Sequence, residues 1–231
     1  MKRKFVGLSI VGLVMLGLTC LSVEAAVLKH YYTFNKKSLK DSRGNGADLI
    51  IPVRLQQNLR NDGYYFLRPF DWPNTDLAFP GPALSSQVLS SDNYAIEIRV
   101  KLNSSSLVWW HKLIDPWNLD PEDNGLYLFD GKLTYYHRGL PDFGISGLDV
   151  IAPDTFVNIL ITRDANSNLF RAYLNGILQF EMPDPEGWAV FKRGLIWFFT
   201  DDYATYGGEL VEGFVDWIKI YDGPFVPLYT P

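Results

Sequence analysis

The stretch from Thr155 to Phe180 alternates short β-prone runs with turn residues, and this pattern restricts the possible folds more than any other feature of the chain. Asn175-Gly176 is a two-residue connection typical of type I′ hairpins, in which both central residues adopt positive φ. The polar segment from Asp164 to Asn168 suits a longer hairpin loop. The stretch therefore predicts three consecutive antiparallel strands.

Similar runs recur along the rest of the chain, and no segment shows the periodicity of a long helix. Asn93 to Leu102 alternates apolar with polar residues, which predicts one buried and one solvated face. The proline-rich segment from Pro69 to Ser91 predicts a long surface loop. About a dozen short strands without a convincing helix predict an all-β sandwich or barrel. The main predicted strands are Leu28–Phe34, Tyr64–Arg68, Asn93–Leu102, Leu107–Asp115, Gly125–Phe129, Lys132–His137, Phe156–Arg163, Leu169–Asn175, Gly176–Phe180, Leu195–Phe199 and Gly213–Tyr221.

The first 25 residues have the composition of an export signal. A basic start at residues 2–4 precedes an almost wholly apolar run to Leu21, and small residues end the segment at Ala25. We predict cleavage after Ala25; the alternative is a single transmembrane anchor, because about 18 apolar residues can just span a bilayer. Residues 26–231 are expected to form one domain. The only cysteine, Cys20, lies in the predicted signal, so no disulfide is expected in the mature protein.

The charge of the predicted mature chain limits its partners. Beyond residue 25 there are 18 Lys and Arg against 25 Asp and Glu, a net charge of −7. Nucleic acids and anionic membrane surfaces attract clustered positive charge, so neither is an expected partner. The mature protein is expected not to span a membrane and to reside in the periplasm, on the cell surface or outside the cell.

Seven sequence segments, taken in order, carry a resemblance to a known family. They are YYTFNKKSLKDSRGNGADL, NYAIEIRVKL, NGLYLFDGKLTYY, VNILITRD, YLNGILQF, LIWFFTDD and GFVDWIKIYD. The series resembles the concanavalin A-like lectin/glucanase superfamily and is most similar to laminin G-like jelly-roll domains of exported bacterial proteins. The resemblance implies a two-sheet antiparallel jelly-roll sandwich. It also implies binding of glycans or proteins, often with a structural calcium ion, although some relatives are glycoside hydrolases or polysaccharide lyases.

The carboxylates do not follow the catalytic patterns of enzymes in that superfamily. A retaining glycosidase needs two carboxyl groups about 5 Å apart, and laminarinase-like relatives supply them as Glu-x-Asp-x-(x)-Glu on one strand. Neither that string nor the Gln-Ile-His strand of alginate-lyase-like relatives occurs here. The sequence therefore predicts a protein without catalytic activity. The alternative is an unrecognised carboxylate pair, such as Asp202 with Glu209.

An acidic turn near the start of the predicted domain is the candidate calcium site. Ca²⁺ takes six to eight oxygen ligands, which turns often supply. The resemblance pairs this turn with an aspartate of the last strand, which makes Asp41, Asp48 and Asp216 the candidate ligands. In the alternative, Asp41 and Asp48 bond to the backbone of the turn and Asp216 pairs with an arginine. The segment from Asp120 to Gly125 lacks the order of a calcium loop and is expected to be a solvated turn.

Aromatic residues in predicted loops are the candidate sugar contacts. Lectin sites stack an aromatic face on a pyranose ring and bind its hydroxyls through nearby carboxylates and amides. The candidates are Trp72, Trp117, Asp120, Asp202 and Tyr203. They would form a site if the aromatic rings converge; in the alternative, each ring packs against the protein. Trp197 and Trp217 lie in predicted buried strands and are expected in the core.

These features favour an exported, non-catalytic recognition module that binds a glycan or polysaccharide. One alternative is an adhesion or matrix protein with a protein partner and no sugar site. The other is a glycan-cleaving enzyme of the same fold.

Overall fold

The chain forms two antiparallel β-sheets packed face to face, which confirms the predicted all-β sandwich. The computed structural model describes residues 26–52, 56, 58–66, 81–140, 144–192, 194–205, 208–225 and 227. The strands are β1 (Val27–Tyr32), β2 (Tyr64–Phe66), β3 (Ala83–Ser85), β4 (Tyr94–Leu102), β5 (Trp110–Asp115), β6 (Asn124–Phe129), β7 (Lys132–His137), β8 (Ile145–Val150), β9 (Phe156–Asp164), β10 (Leu169–Leu174), β11 (Ile177–Pro183), β12 (Leu195–Phe198) and β13 (Gly213–Asp222). Short 3₁₀ turns lie at Asn35–Lys37, Ser86–Val88 and Ser104–Leu107. In the part of the chain described here, no helix has the length and hydropathy needed to cross a bilayer.

The order of the strands is that of a jelly-roll sandwich, because strands distant in sequence lie side by side. The seven-stranded sheet has the order β1-β13-β4-β9-β10-β11, with β2 also paired to β13. The six-stranded sheet has the order β3-β12-β5-β6-β7-β8. The last strand, β13, lies between β1 and β4, so the two ends of the described chain are joined in one sheet.

The core lies between the two sheets and follows from the alternation of side chains along the strands. Ile96, Ile98 and Val100 of β4 are almost fully buried and belong to one hydrophobic cluster. Leu126 and Leu128 of β6 join this cluster from the six-stranded sheet. Full burial of each such side chain stabilises the fold by roughly 1.5–3 kcal/mol. The intervening residues of β5, β6 and β7 therefore lie on the outer face of the six-stranded sheet.

The predicted hairpin turn at Asn175-Gly176 is confirmed, and a second turn of the same kind occurs at Asp130-Gly131. Asn175 and Gly176 join β10 to β11 with φ of 50° and 82°, and Asp130 and Gly131 join β6 to β7 with φ of 47° and 76°. Positive φ at both central residues is the requirement of a type I′ turn.

Two strands and two tryptophans depart from the sequence prediction. β3 lies inside the proline-rich segment that was expected to be a loop, and β8 is an edge strand whose Leu148 is 75% exposed. Because apolar residues of β8 face solvent, its sequence lacks the alternation of apolar and polar residues that predicts a strand. Trp197 and Trp217 were expected in the core but are only partly buried. Each is adjacent in its strand to a residue of the core. Because successive side chains of a strand point to opposite faces, its ring lies on an outer face of the sandwich.

Candidate functional site

The outer face of the six-stranded sheet brings aromatic and charged residues of β5 and β6 together. Trp110 lies directly opposite Phe129, and Lys112 lies opposite Tyr127. The chain segment after β12 returns along β5, where the backbone N–H of Lys112 donates to the Glu209 carbonyl at 2.8 Å. This segment therefore adds its carboxylates to the face formed by β5, β6 and β7.

An aromatic strip on this face consists of Trp109, Phe129 and Trp110, and its exposure decreases from Trp109 to Trp110, which is 9% exposed. Trp109 is 68% exposed, and its ring centroid lies 6.2 Å from that of Phe129. Phe129 stacks on Trp110 at 4.4 Å with an interplanar angle of 29°. Trp109 has φ of 60°, which is rare for a bulky residue, and its N–H donates to the Asp130 carboxylate at 2.9 Å. The backbone thus holds a large aromatic ring in solvent.

Next to the strip lies an acidic pocket of about 190 Å³, lined by Trp110, Asp123, Tyr127, Tyr136 and Glu209. Its three rings stand nearly edge-on to one another. The centroids of Trp110 and Tyr127 are 5.6 Å apart at 89°, and those of Tyr127 and Tyr136 are 6.1 Å apart at 90°. The pocket is smaller than the roughly 300–1,000 Å³ of sites for drug-sized ligands, so it suits one small group of a ligand.

A buried ammonium group lies beside the pocket. Lys112 is fully buried, with Nζ 3.3 Å from Asp115 and 3.8 Å from Asp123, and it also contacts the Asp202 carboxylate. Nζ also lies 4.8 Å from the centroid of the Tyr127 ring. Burial acts to lower the pKa of Lys112, but the charges of Asp115 and Asp202 outweigh burial and raise it. The lysine therefore stays charged and ties β5 to two other segments.

The segment after β12 is held by its own aspartates. Asp201 accepts hydrogen bonds from the Thr205 hydroxyl at 2.6 Å and from the Glu209 N–H at 3.1 Å. Asp202 accepts one from the N–H of Ala204 at 2.7 Å. Side-chain acceptors that bond nearby N–H groups fix the course of a turn. These bonds place Glu209 at the pocket.

Two carboxyl groups of this segment have raised pKa values. Burial raises the pKa of Asp202 to about 6. Burial, together with the charges of Asp201 and Asp123, raises the pKa of Glu209 to about 8. Glu209 Oε2 is buried and has no hydrogen-bond partner among the described residues. The pocket therefore contains a carboxyl group that is protonated for much of the time at neutral pH and has unused bonding capacity.

Some residues predicted to bind sugar lie near this pocket. Asp202 and Tyr203 belong to the segment that supplies Glu209, but Asp202 is fully buried against Lys112 and is not accessible to a ligand. Tyr203 is 46% exposed. Trp72 lies outside the described residues. That Trp72 and Tyr203 converge on one sugar site therefore stays a prediction.

Trp117 and Asp120 lie in a separate cluster around Lys192. Lys192 Nζ is 3.4 Å from the centroid of the Trp117 ring and 3.6 Å from Asp120 Oδ2. Trp117 is 9% exposed, its ring meets His137 edge-on at 5.2 Å, and its Nε1–H donates to the Val190 carbonyl at 3.2 Å. These contacts cover the ring, so Trp117 matches the packing alternative.

The three predicted calcium ligands are bound to other protein groups. Asp41 Oδ1 accepts the N–H of Tyr31 at 2.9 Å, and Asp48 Oδ1 accepts the N–H of Asp41 at 3.3 Å. Asp216 pairs with Arg99 at 3.1 Å. No group of three or more His, Cys, Asp or Glu in the described ranges could hold a metal ion. The bonds of Asp41, Asp48 and Asp216 are therefore those of the alternative, and calcium binding stays a prediction.

Sequence reasoning overlooked part of the pocket. Asp123 was expected in a solvated turn, but its side chain is only 17% exposed, lies near Lys112 and accepts a bond from the Tyr127 hydroxyl. The available signal was the aromatic residues at outward positions of β6 and β7, Tyr127 and Tyr136. Large rings on the solvated face of a sheet indicate a covered or binding surface.

Comparison with known protein families finds no match, and comparison with curated proteins finds none. Solved structures do resemble the chain. Domain 4 of AbnA, a GH43 extracellular arabinanase from Geobacillus stearothermophilus, in complex with arabinotriose, has a TM-score of 0.57 and 18% identity over 87% of this chain and 95% of that one.

Neurotoxin domains are also similar. The binding domain of botulinum neurotoxin DC, in complex with rat synaptotagmin II, has a TM-score of 0.56 at 12% identity over 87% of this chain. A structure of botulinum neurotoxin type C, whose cell entry depends on two ganglioside molecules, has a TM-score of 0.55 at 12% identity over 87% of this chain. This chain spans 49% and 48% of those two chains. At such identities the likeness shows the fold alone.

Proposed function

We propose that the protein is a carbohydrate-binding module that binds glycan on the outer face of the six-stranded sheet. The aromatic strip carries this proposal, because Trp109 presents a largely exposed ring that leads through Phe129 to Trp110 and the acidic pocket. Aromatic faces stack on pyranose rings, and the adjacent carboxyl groups of Asp123 and Glu209 accept or donate hydrogen bonds to hydroxyls. The likeness to an arabinanase domain in complex with arabinotriose supports a glycan ligand.

The finer proposal is a laminin G-like module of the concanavalin A-like type that is exported after cleavage of residues 1–25. N-terminal sequencing of the protein secreted by an expressing cell should begin at Ala26. A structural calcium ion would be part of the same likeness. Equal melting temperatures in chelator and in millimolar Ca²⁺ would count against that ion.

A glycan array tests the proposal, followed by titration of the strongest ligand. Trp109→Ala and Tyr136→Ala should each weaken binding about tenfold, since each removes a ring that stacks on the ligand or lines its pocket. Trp217→Ala is the matched control, because Trp217 is a partly buried tryptophan on the seven-stranded sheet, and it should leave affinity within about twofold.

An array without bound glycans would contradict the proposal and favour a protein partner. Loss of affinity in Trp217→Ala equal to that in Trp109→Ala would instead place the site elsewhere. Circular dichroism and thermal melting of each variant show whether the fold is intact.

Glycan cleavage is a second candidate, because the pocket combines two carboxyl groups with Trp110. A glycosidase needs one protonated and one ionised carboxyl group, and the pKa of about 8 keeps Glu209 protonated at neutral pH. Asp123 lines the same pocket, whereas Asp202 is buried against Lys112. Release of reducing ends from a polysaccharide panel, abolished by Glu209→Gln, would establish an enzyme. Binding without release would establish a non-catalytic module.

A further inference from the structure

We infer that the acidic pocket binds a cationic nitrogen and thereby selects glycans that carry free amino groups. The inference rests on the proposed function for its ligand class, and on the geometry and charge of the pocket for its selectivity.

The rings of the pocket form a cage. Trp110 meets Tyr127 and Tyr136 at centroid distances of 5.6 Å and 5.4 Å, and the two tyrosines are 6.1 Å apart. All three pairs are edge-on, and all three residues line the same pocket. The face of an aromatic ring carries negative potential and attracts ammonium groups within about 6 Å. Rings in this arrangement suit a compact cation better than a flat, neutral sugar ring.

The charges around the cage favour the same ligand. Glu209 interacts with the negative charges of Asp123, Asp201 and Asp202 and with the positive charge of Lys112. Lys112 is already engaged by carboxylates, which leaves the cage with excess negative charge. Arg138 also acts on Tyr136, but it is exposed to solvent and therefore screened by salt.

Lys112 shows that this part of the fold stabilises an ammonium group. Its Nζ is fully buried, contacts carboxylates and lies 4.8 Å from the centroid of the Tyr127 ring. A ligand ammonium in the pocket would meet the same kinds of group, namely aromatic rings and the carboxyl groups of Asp123 and Glu209, against partial opposition from the positive charge of Lys112.

Glu209 supplies a carboxyl group with unused bonding capacity. Its Oε2 is buried without a hydrogen-bond partner among the described residues, which is costly for a carboxyl group. The raised pKa of Glu209 shows that the empty pocket favours the protonated form. A bound ammonium donates to this oxygen and allows the carboxyl group to ionise, whereas an N-acetyl group provides no positive charge.

A matched pair of ligands tests the selectivity. Chitotetraose in its N-acetylated form and the fully deacetylated tetrasaccharide have the same backbone and differ in charge. Titration calorimetry at neutral pH should show at least about tenfold tighter binding of the deacetylated form. Equal binding, or tighter binding of the acetylated form, would overturn the inference while leaving the proposed function intact.

Conservative variants locate the effect. Glu209→Gln keeps the shape of the side chain and removes its charge, so it should reduce affinity for the deacetylated form about tenfold more than affinity for the acetylated form. Glu97→Gln, on the seven-stranded sheet, is the matched control and should preserve the ratio between the two forms. An unchanged ratio in Glu209→Gln would overturn the inference.

A small cation tests the aromatic cage independently of the glycan. Tetramethylammonium should compete with the deacetylated tetrasaccharide and quench tryptophan fluorescence, and Tyr136→Leu should reduce both effects. Fluorescence quenching by tetramethylammonium without any glycan binding would overturn the glycan as carrier of the cation, together with the proposed function. Glycan binding without competition would overturn the cage alone.

Discussion

The two outer faces of the sandwich both present tryptophan beside charged residues, but they differ in how the charges are paired. On the seven-stranded sheet, Arg99 pairs with Asp216 at 3.1 Å and Lys219 with Glu97 at 3.4 Å, one base to one acid. All four side chains are partly exposed. On the six-stranded sheet, a fully buried Lys112 contacts three carboxylates.

This difference indicates which face is prepared for a ligand. Solvated one-to-one pairs contribute roughly 0–1 kcal/mol and leave no unmet charge. Lys219 also lies 4.0 Å from the centroid of Trp217, so the protein's own lysine covers that ring. On the opposite face, Trp110 borders an open pocket with a buried carboxyl oxygen for which the described residues supply no hydrogen-bond partner. The face with unbalanced charge is therefore the candidate binding face.

The largest expected effect is the loss of Lys112. Lys112→Met should lower the free energy of unfolding by about 3–5 kcal/mol, because Asp115 and Asp202 would remain buried without their cation. Lys219→Met removes a partly exposed pair and should cost at most about 1 kcal/mol. Urea unfolding at pH 7 measures both. Equal losses would show that the two faces do not differ in the way their charges are held.

A variant with similar instability separates stability from binding. Arg163 and Asp184 form a buried pair at 2.7 Å in the seven-stranded sheet and its following loop. Arg163→Met should also lower the free energy of unfolding by about 3–5 kcal/mol, but it should leave glycan affinity unchanged. Reduced affinity in Arg163→Met would mean that instability alone weakens binding.

A smaller effect is expected from pH. The pKa of Glu209 is about 8 in the folded protein, against an ordinary value of 4.5, so above 4.5 the folded state retains a proton that the unfolded state loses. Stability therefore falls as pH rises, by about 1–2 kcal/mol between about pH 6.5 and 8. Burial raises the pKa of Asp202 to about 6 and lowers the pKa of His137, so these two groups change stability mostly below this range.

Glu209→Gln should flatten this dependence in urea unfolding measured at several pH values. Glu97→Gln should retain it, because Glu97 lies on the other face. An undiminished slope in Glu209→Gln would assign the titration to another group.

The smallest expected effect has the opposite sign. Trp109 has a left-handed backbone conformation with φ of 60°, which costs a non-glycine residue roughly 1–2 kcal/mol. Trp109→Gly should raise the free energy of unfolding by about 0.5–1 kcal/mol, after the extra chain entropy of glycine, and weaken glycan binding. Trp109→Ala removes the ring without relieving the backbone, so it should lose affinity without gaining stability. Thermal melting and calorimetry distinguish the two variants.

The sequence predicted the sandwich because its determinants are local. The period of two in β4 and the turns at Asn175-Gly176 and Asp130-Gly131 each lie within a few residues, and all appear in the structure. β8 escaped prediction because an edge strand with exposed Leu148 and Val150 lacks a clear apolar face.

The pocket could not be predicted in the same way. Lys112, Asp123 and Glu209 each resemble ordinary strand or turn residues in sequence, and their association depends on the course of the segment after β12 along β5. The sequence suggested Asp202 and Glu209 as a possible carboxylate pair. It gave no sign of Lys112, which binds Asp202 and leaves Glu209 at the pocket. Burial of a lysine is a tertiary property that no local pattern reveals.

The cluster around Lys112 also has a consequence for folding kinetics. Lys112 and Asp202 are 90 residues apart in sequence, and a loop of that length loses much entropy before its contacts can compensate. We expect contacts of this kind to form after the transition state, so weakening them should speed unfolding more than it slows folding. The cluster, and any ligand bound beside it, should then affect the lifetime of the folded protein more than the rate at which it forms.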